Sequence, residues 1–156
     1  MSDRYSTSDR YYVPAFGRIY DAASRYALPL LRISLGLILM PHGMQKFFGA
    51  FGGAGFVRFT QIFESIGYKP GALWVTLVAG TELVGGLMLV IGLFTRFWAA
   101  AVAIFMINAV WNTSAKGFFW TNGGAEYSIL IFFCALVFLI RGGGELSVDN
   151  KMSREL

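Results

Sequence analysis

A bundle of four transmembrane helices, with a short amphipathic helix in the first extracytoplasmic loop, is the all-α membrane fold that the sequence predicts. Composition is the first reason. Of 156 residues, 56% are apolar and 14% charged, against about 25% charged in a typical soluble domain. Thirteen basic and nine acidic residues are too few to cover a water-exposed surface. The second reason is where those charges lie. The 26 residues between Lys69 and Arg96 hold Glu82 alone, the 19 between Arg96 and Lys116 hold none, and the 24 between Lys116 and Arg141 hold Glu126 alone. A helix crosses ~30 Å of hydrocarbon with about 20 mostly apolar residues. The apolar runs are continuous rather than alternating, which excludes a membrane barrel. Fifteen Phe and four Trp exclude intrinsic disorder, and a single cysteine, Cys134, excludes a disulfide framework or a multi-cysteine metal site.

Taken in order, residues 1–26 form a polar, Tyr-rich arm with Ser-Asp-Arg-Tyr at 2–5 and again at 8–11. They lack the apolar core of a secretory signal. After Pro14, Phe16, Ile19, Tyr20 and Ala23 make the apolar stripe of a short helix, of the kind that lies in the interface before a first span. The first span runs from about Ala27 to Phe47, with Arg32 near its start and Pro41, His42 and Lys46 near its end. Pro41 lacks a backbone donor and is expected to kink it. The connection at 48–70 opens with Gly49, Gly52, Gly53 and Gly55, and continues with Phe56, Phe59, Phe63 and Ile66 at spacings of three or four, an amphipathic helix. The plainer reading is a connector that shields helix ends; the sharper one is a lid over a site. The remaining spans fall at 71–93, 97–114 and 123–140. Three regions follow: the arm at 1–26, the membrane domain at 27–141 and a tail at 142–156.

Basic residues orient a membrane protein. With four spans, Arg4, Arg10, Arg18, Arg25, Arg32, Arg96, Arg141, Lys151 and Arg154 fall on or nearest one side, and Lys46, Arg58, Lys69 and Lys116 on the other. Both termini are therefore expected in the cytoplasm of a bacterium, with the spans in its inner membrane and the lipid bilayer as first partner. The net charge of +4 reads as topology. Nucleic-acid binding would gather the basic residues on one face, and here they are spread over loop ends.

Ionisable groups inside hydrocarbon are costly and mark function by default. Glu82 lies about 11 residues, or ~16 Å, from the outer end of its span, near the midplane. It needs protonation, a partner such as Arg32, Thr or Asn, or a polar cavity. His42, the one histidine, shares a helix face with Lys46 at i+4. Glu82, His42 and Lys46 are the candidate catalytic groups, suited to proton exchange or to a hydrogen bond with a carbonyl-bearing ligand. Asn108 and Asn112, also at i+4, with Trp111 beside them and Glu126 at the start of the fourth span, offer polar groups at the same outer depth. With Arg32 they are the candidate ligand-binding residues. Interhelical hydrogen bonding alone also accounts for the asparagines. A stable metal site needs three or four converging ligands, and none is expected here.

The order Arg32-x-x-x-Gly36, His42-Gly43-x-x-Lys46, Glu82, Gly92-x-x-x-Arg96, then Gly123-Gly124-Ala125-Glu126-Tyr127 and Gly142-Gly143-Gly144-Glu145-Leu146-Ser147-Val148-Asp149 resembles the DoxX family of small four-helix membrane proteins. The resemblance covers about residues 27–149, and its signature positions here are Arg32, Gly36, Gly43, Lys46, Glu82, Arg96, Glu126 and Asp149. It implies an association with thiosulfate:quinone oxidoreduction or with membrane redox and thiol-stress complexes. Cys134 lies among Phe132, Phe133 and Leu136, and with no second thiol an intramolecular dithiol mechanism is excluded. Three readings follow: an accessory or anchor subunit that docks a redox partner, a quinone-interacting oxidoreductase subunit, or a small proton or solute transporter. Thr81 and Gly85, and Ala99 and Ala103, are small-residue pairs that permit close helix packing, within one chain or in a homo-oligomer.

Overall fold

A computed structural model describes residues 11–152. The Ser-Asp-Arg-Tyr copy at 2–5, most of the second copy, and Arg4, Arg10 and Arg154 lie outside the described residues. The described chain is all helical, with no strand. Its helices are α1 (Pro14–Phe48), α2 (Gly55–Ser65), α3 (Gly71–Gly80), α4 (Gly86–Ile91), α5 (Thr95–Ser114), α6 (Glu126–Arg141) and α7 (Val148–Lys151). A π-helical turn, Thr81–Gly85, joins α3 to α4, so Gly71–Ile91 is one helix of 21 residues. Among the described residues, three helices are long and apolar enough to cross a membrane: Phe16–Phe48, Gly71–Ile91 and Thr95–Ser114. Helix α6 is apolar but has 16 residues, about 24 Å at 1.5 Å per residue.

The interfacial segment and the first span, expected as two elements, form a single helix. α1 runs 35 residues from Pro14 and contains both Pro29 and Pro41. Pro14 occupies the first turn, where a missing N–H costs nothing, and Gly49 ends the helix in the left-handed conformation (φ +70°) with its N–H bonded to the Met44 carbonyl. The helix passes through residue 26 without interruption. Phe16, Ile19 and Tyr20 stand exposed on the same continuous helix.

The bundle is drawn together along a glycine seam. At Gly36 of α1 a β-carbon would collide with the Gly86 carbonyl, and at Gly43 it would stand 2.7 Å from Leu83 Cγ and 2.9 Å from the Ala79 carbonyl. Such backbone contact replaces the hydrophobic drive that lipid removes. Beside this seam, Leu35, Leu39, Leu89, Ala99, Val102, Ala103, Met106, Ile131, Ala135 and Phe138 form the buried core among α1, α4, α5 and α6.

One end of the bundle, where α4 turns into α5 and α6 runs into α7, is closed by polar groups. The Asp149 carboxylate accepts from the Phe94 N–H at 2.7 Å and the Thr95 N–H at 2.8 Å, capping the first turn of α5 from 54 residues away. Arg32 is 1% exposed and donates from Nη2 to the Leu146 carbonyl at 2.7 Å. Its Nε and Nη1 have no hydrogen-bond partner among the described residues, and Asp149 faces it with opposite charge. Gly92, at φ +74°, lies against that guanidinium so closely that a β-carbon would overlap it. Arg96 donates from Nη1 to the Leu139 and Ile140 carbonyls at 2.7 and 2.8 Å, which the last turn of α6 leaves without intrahelical donors. We call this the proximal end, and the end carrying α2 the distal end.

Candidate functional site

A cavity of about 290 Å³ opens at the distal end, close to the lower limit of small-molecule sites, about 300 Å³. Its walls are mainly apolar, with Phe63, Tyr68, Trp74, Phe105 and Tyr127 beside aliphatic side chains such as Leu39, Val78 and Ile131. Helices α1, α3, α5 and α6 all contribute, together with the loop that follows α2.

At the polar pole of this cavity Lys46 Nζ lies 2.7 Å from both Oε1 and Oε2 of Glu82. Glu82 is 6% exposed, and the lysine is partly buried, with its Nζ 5.8 Å from the centre of the Phe59 ring. Each charge offsets the desolvation cost of the other. The local backbone explains how the carboxylate comes here. Glu82 is the second residue of the π turn, whose extra residue rephases the helix; such turns recur at functional sites. Gly43 lets α1 approach this turn, which brings Lys46, one turn further along α1, to the carboxylate. The His42 ring packs 6.0 Å from that of Tyr127, and its nitrogens have no hydrogen-bond partner among the described residues.

Aromatic side chains from the α2 region roof the site. Phe56 packs on Phe47 at 5.4 Å, Phe63 on Tyr68 at 5.8 Å and Tyr68 on Trp74 at 5.3 Å. The Glu64 carboxylate accepts from the Gly71 N–H at 3.1 Å, tying α2 to the start of α3. Across the mouth, the Tyr68 hydroxyl donates to Asn108 Oδ1 at 3.1 Å and accepts from Asn112 Nδ2 at 3.2 Å.

Five of the eight residues singled out in the sequence line the cavity together: His42, Lys46, Glu82, Asn108 and Asn112. The other three lie elsewhere. Arg32, weighed as the partner of Glu82, is at the proximal end on the Leu146 carbonyl. It lies ten residues before His42, about 15 Å along α1, and Lys46 takes the partner's role instead. Trp111 is 81% exposed, since one residue from Asn112 turns a helix about 100° away. Glu126 opens α6 and accepts from the Trp120 N–H at 3.1 Å, bracing the turn before the helix. Sequence reasoning missed Tyr68, Trp74 and Tyr127. Tyr68 and Trp74 fall on the two sides of the Lys69-Pro70-Gly71 breaker, so no single helical periodicity links them. Among the described residues no group of three or more His, Cys, Asp or Glu could hold a metal ion.

Long apolar helices, a glycine-packed bundle and an ion pair at one end of an aromatic cavity define a helical membrane protein. The chain belongs to the DoxX family, whose model matches residues 27–115. It is similar to a Bacillus subtilis (strain 168) protein named "Putative oxidoreductase CatD", 32% identical over 120 residues, covering 77% of this chain and 82% of that one. It is also similar to the uncharacterized membrane protein Rv3486 of Mycobacterium tuberculosis (strain ATCC 25618 / H37Rv), 28% identical over 90% of each chain. An uncharacterized protein of Haemophilus influenzae (strain ATCC 51907 / DSM 11121 / KW20 / Rd) is 31% identical over 83% of this chain and 93% of its own. No solved structure matches the chain.

Proposed function

We propose that this protein is the membrane subunit of a redox system and that its distal cavity binds a quinone headgroup. The observation that carries the reading is the Lys46–Glu82 ion pair at the polar pole of an aromatic cavity. The residues fit such a group. Trp74, Phe105 and Tyr127 offer faces and edges against which a flat ring packs well, and the volume suits a headgroup, leaving an isoprenoid tail to the bilayer. His42 and Lys46 would hold a carbonyl, and Glu82 would hold the proton exchanged with it. A bound quinone supplies two-electron, two-proton chemistry; this chain binds it, orients it and limits its contact with water. The name of the Bacillus subtilis relative supports a redox role. Electrons would come from a protein partner docked on the Tyr-rich arm or the bundle surface.

The same reading gives α6 a fourth crossing, made short by the turns at 123–125 and 142–144 at its ends. Residues 27–141 then form the membrane domain, with the arm and the tail in the cytoplasm and α2 an amphipathic lid outside. The excess of Lys and Arg in the arm, at Arg96 and in the tail supports this orientation in a bacterial inner membrane.

The test is organic extraction of protein purified from native membranes, with chromatography of the extract. A quinone near one per chain is expected, and much less from Glu82→Gln. Protein that carries none, and that takes up no tailless benzoquinone on titration, leaves the proposal without support.

A further inference from the structure

The mouth of the cavity carries a hydrogen-bonding pattern more selective than its walls. Both asparagine amides are tied along their own helix. Asn108 Nδ2 donates to the Ile104 carbonyl at 3.0 Å, and Asn112 Nδ2 donates to the Asn108 carbonyl at 2.8 Å. These bonds set which atom each amide turns to the mouth: Asn108 offers an acceptor, Oδ1, and Asn112 offers a second N–H of its Nδ2. A group that donates and accepts through one atom satisfies both. The Tyr68 hydroxyl does so, at 3.1 and 3.2 Å, with its ring held in edge-to-face contact with Phe63 and with Trp74.

Resting on the reading that the cavity takes a ring ligand, we infer that Asn108 and Asn112 form a recognition subsite for a phenolic hydroxyl, which Tyr68 fills as an internal occupant. A hydroquinone hydroxyl donates to Asn108 Oδ1 and accepts from Asn112 Nδ2, as the tyrosine does. A quinone carbonyl has no proton to donate and sets its lone pairs against those of Asn108 Oδ1. The subsite therefore favours the reduced, hydroxyl-bearing form of the ligand over the oxidised one. Tyr68 sits in the segment between α2 and α3, so its hydroxyl gives up the amide pair to the ligand without unwinding a helix. A latch with a purely structural role would be indifferent to the redox form of the ligand.

The test is anaerobic titration calorimetry on the full chain in lipid nanodiscs, with tailless 2,3-dimethoxy-5-methylhydroquinone and the corresponding quinone as probes. The wild type is expected to bind the hydroquinone roughly tenfold more tightly than the quinone, the scale of one or two net hydrogen bonds. Asn108→Leu erases that preference. Tyr68→Phe tightens hydroquinone binding by roughly fivefold, because the internal competitor has lost its hydroxyl. Circular dichroism checks that both variants keep their helix content. Equal affinity for the two forms in the wild type, or weaker hydroquinone binding in Tyr68→Phe, overturns the subsite while leaving the cavity's role intact. Binding of neither form to the wild type or to Tyr68→Phe overturns the cavity reading itself, and the subsite with it.

Discussion

Lys46 Nζ sits 2.7 Å from each carboxylate oxygen of Glu82, across 36 positions of sequence, and this contact sets the sign of what mutation does at the site. Glu82→Leu leaves the lysine charge without its counter-ion and is expected to destabilise by about 3–5 kcal/mol, whereas the double variant Lys46→Met/Glu82→Leu recovers most of that loss. Thermal melts of the three proteins in one detergent measure both. A double variant no more stable than Glu82→Leu would mean that the pair is not the stabilising unit.

Glu82→Gln keeps the volume and one carbonyl acceptor for Lys46. It is expected to lose less stability than Glu82→Leu and to abolish any proton-linked turnover. Full activity of Glu82→Gln would remove the carboxylate from the chemistry.

Gly92 combines a left-handed backbone with contact on the Arg32 guanidinium. Gly92→Ala therefore carries the conformational penalty of a β-carbon at positive φ and the penalty of overpacking, together about 3 kcal/mol. Gly43→Ala, at an ordinary helical backbone, carries the overpacking alone, about 1–3 kcal/mol. The order of the two melting temperatures checks the argument.

Asp149→Ala removes both acceptors from the first turn of α5 and strips Arg32 of its opposing charge. The expected cost is about 2–4 kcal/mol, and it should appear locally. Amide exchange at Phe94 and Thr95 is expected to quicken far more than exchange in the middle of α5.

Topology has a direct readout. In a Cys134→Ala background, single cysteines at Val57, on the exposed face of α2, and at Asn150, an exposed residue of α7, should react with a membrane-impermeant maleimide from opposite sides of a sealed vesicle. Labelling of both from the same side would contradict a fourth crossing by α6.

Much of the helical plan was legible in the sequence because a bilayer imposes a simple rule on composition. The charge-poor stretches after Lys69 and Arg96 correspond to Gly71–Ile91 and α5, and the Phe56-Phe59-Phe63 spacing falls on α2. Joining the arm to the first span was not legible. Pro41 reads as a kink within the first span, and α1 runs unbroken through both Pro29 and Pro41, since a long helix tolerates proline where neighbouring groups take up the freed carbonyls. At the site, His42 with Lys46, and Asn108 with Asn112, could be paired by i+4 arithmetic. Which carboxylate met which cation could not, because the π turn at Thr81–Gly85 changes helical phase without any residue that marks it.

The sequence by itself determined that this is a helical membrane protein, which residues are polar where lipid should be, and which family signature they carry. Those follow from local chemistry: charge spacing, apolar run length and residue identity. Tertiary structure decided the pairings. It gave Glu82 to Lys46, turned Arg32 toward Leu146 and Asp149 at the other end of the bundle, and set Tyr68 between two asparagines. Each of these depends on how helices and the segments joining them are set against one another in rotation and depth. That geometry is fixed by glycine contacts such as Gly36 on Gly86, where an absent side chain lets two backbones meet.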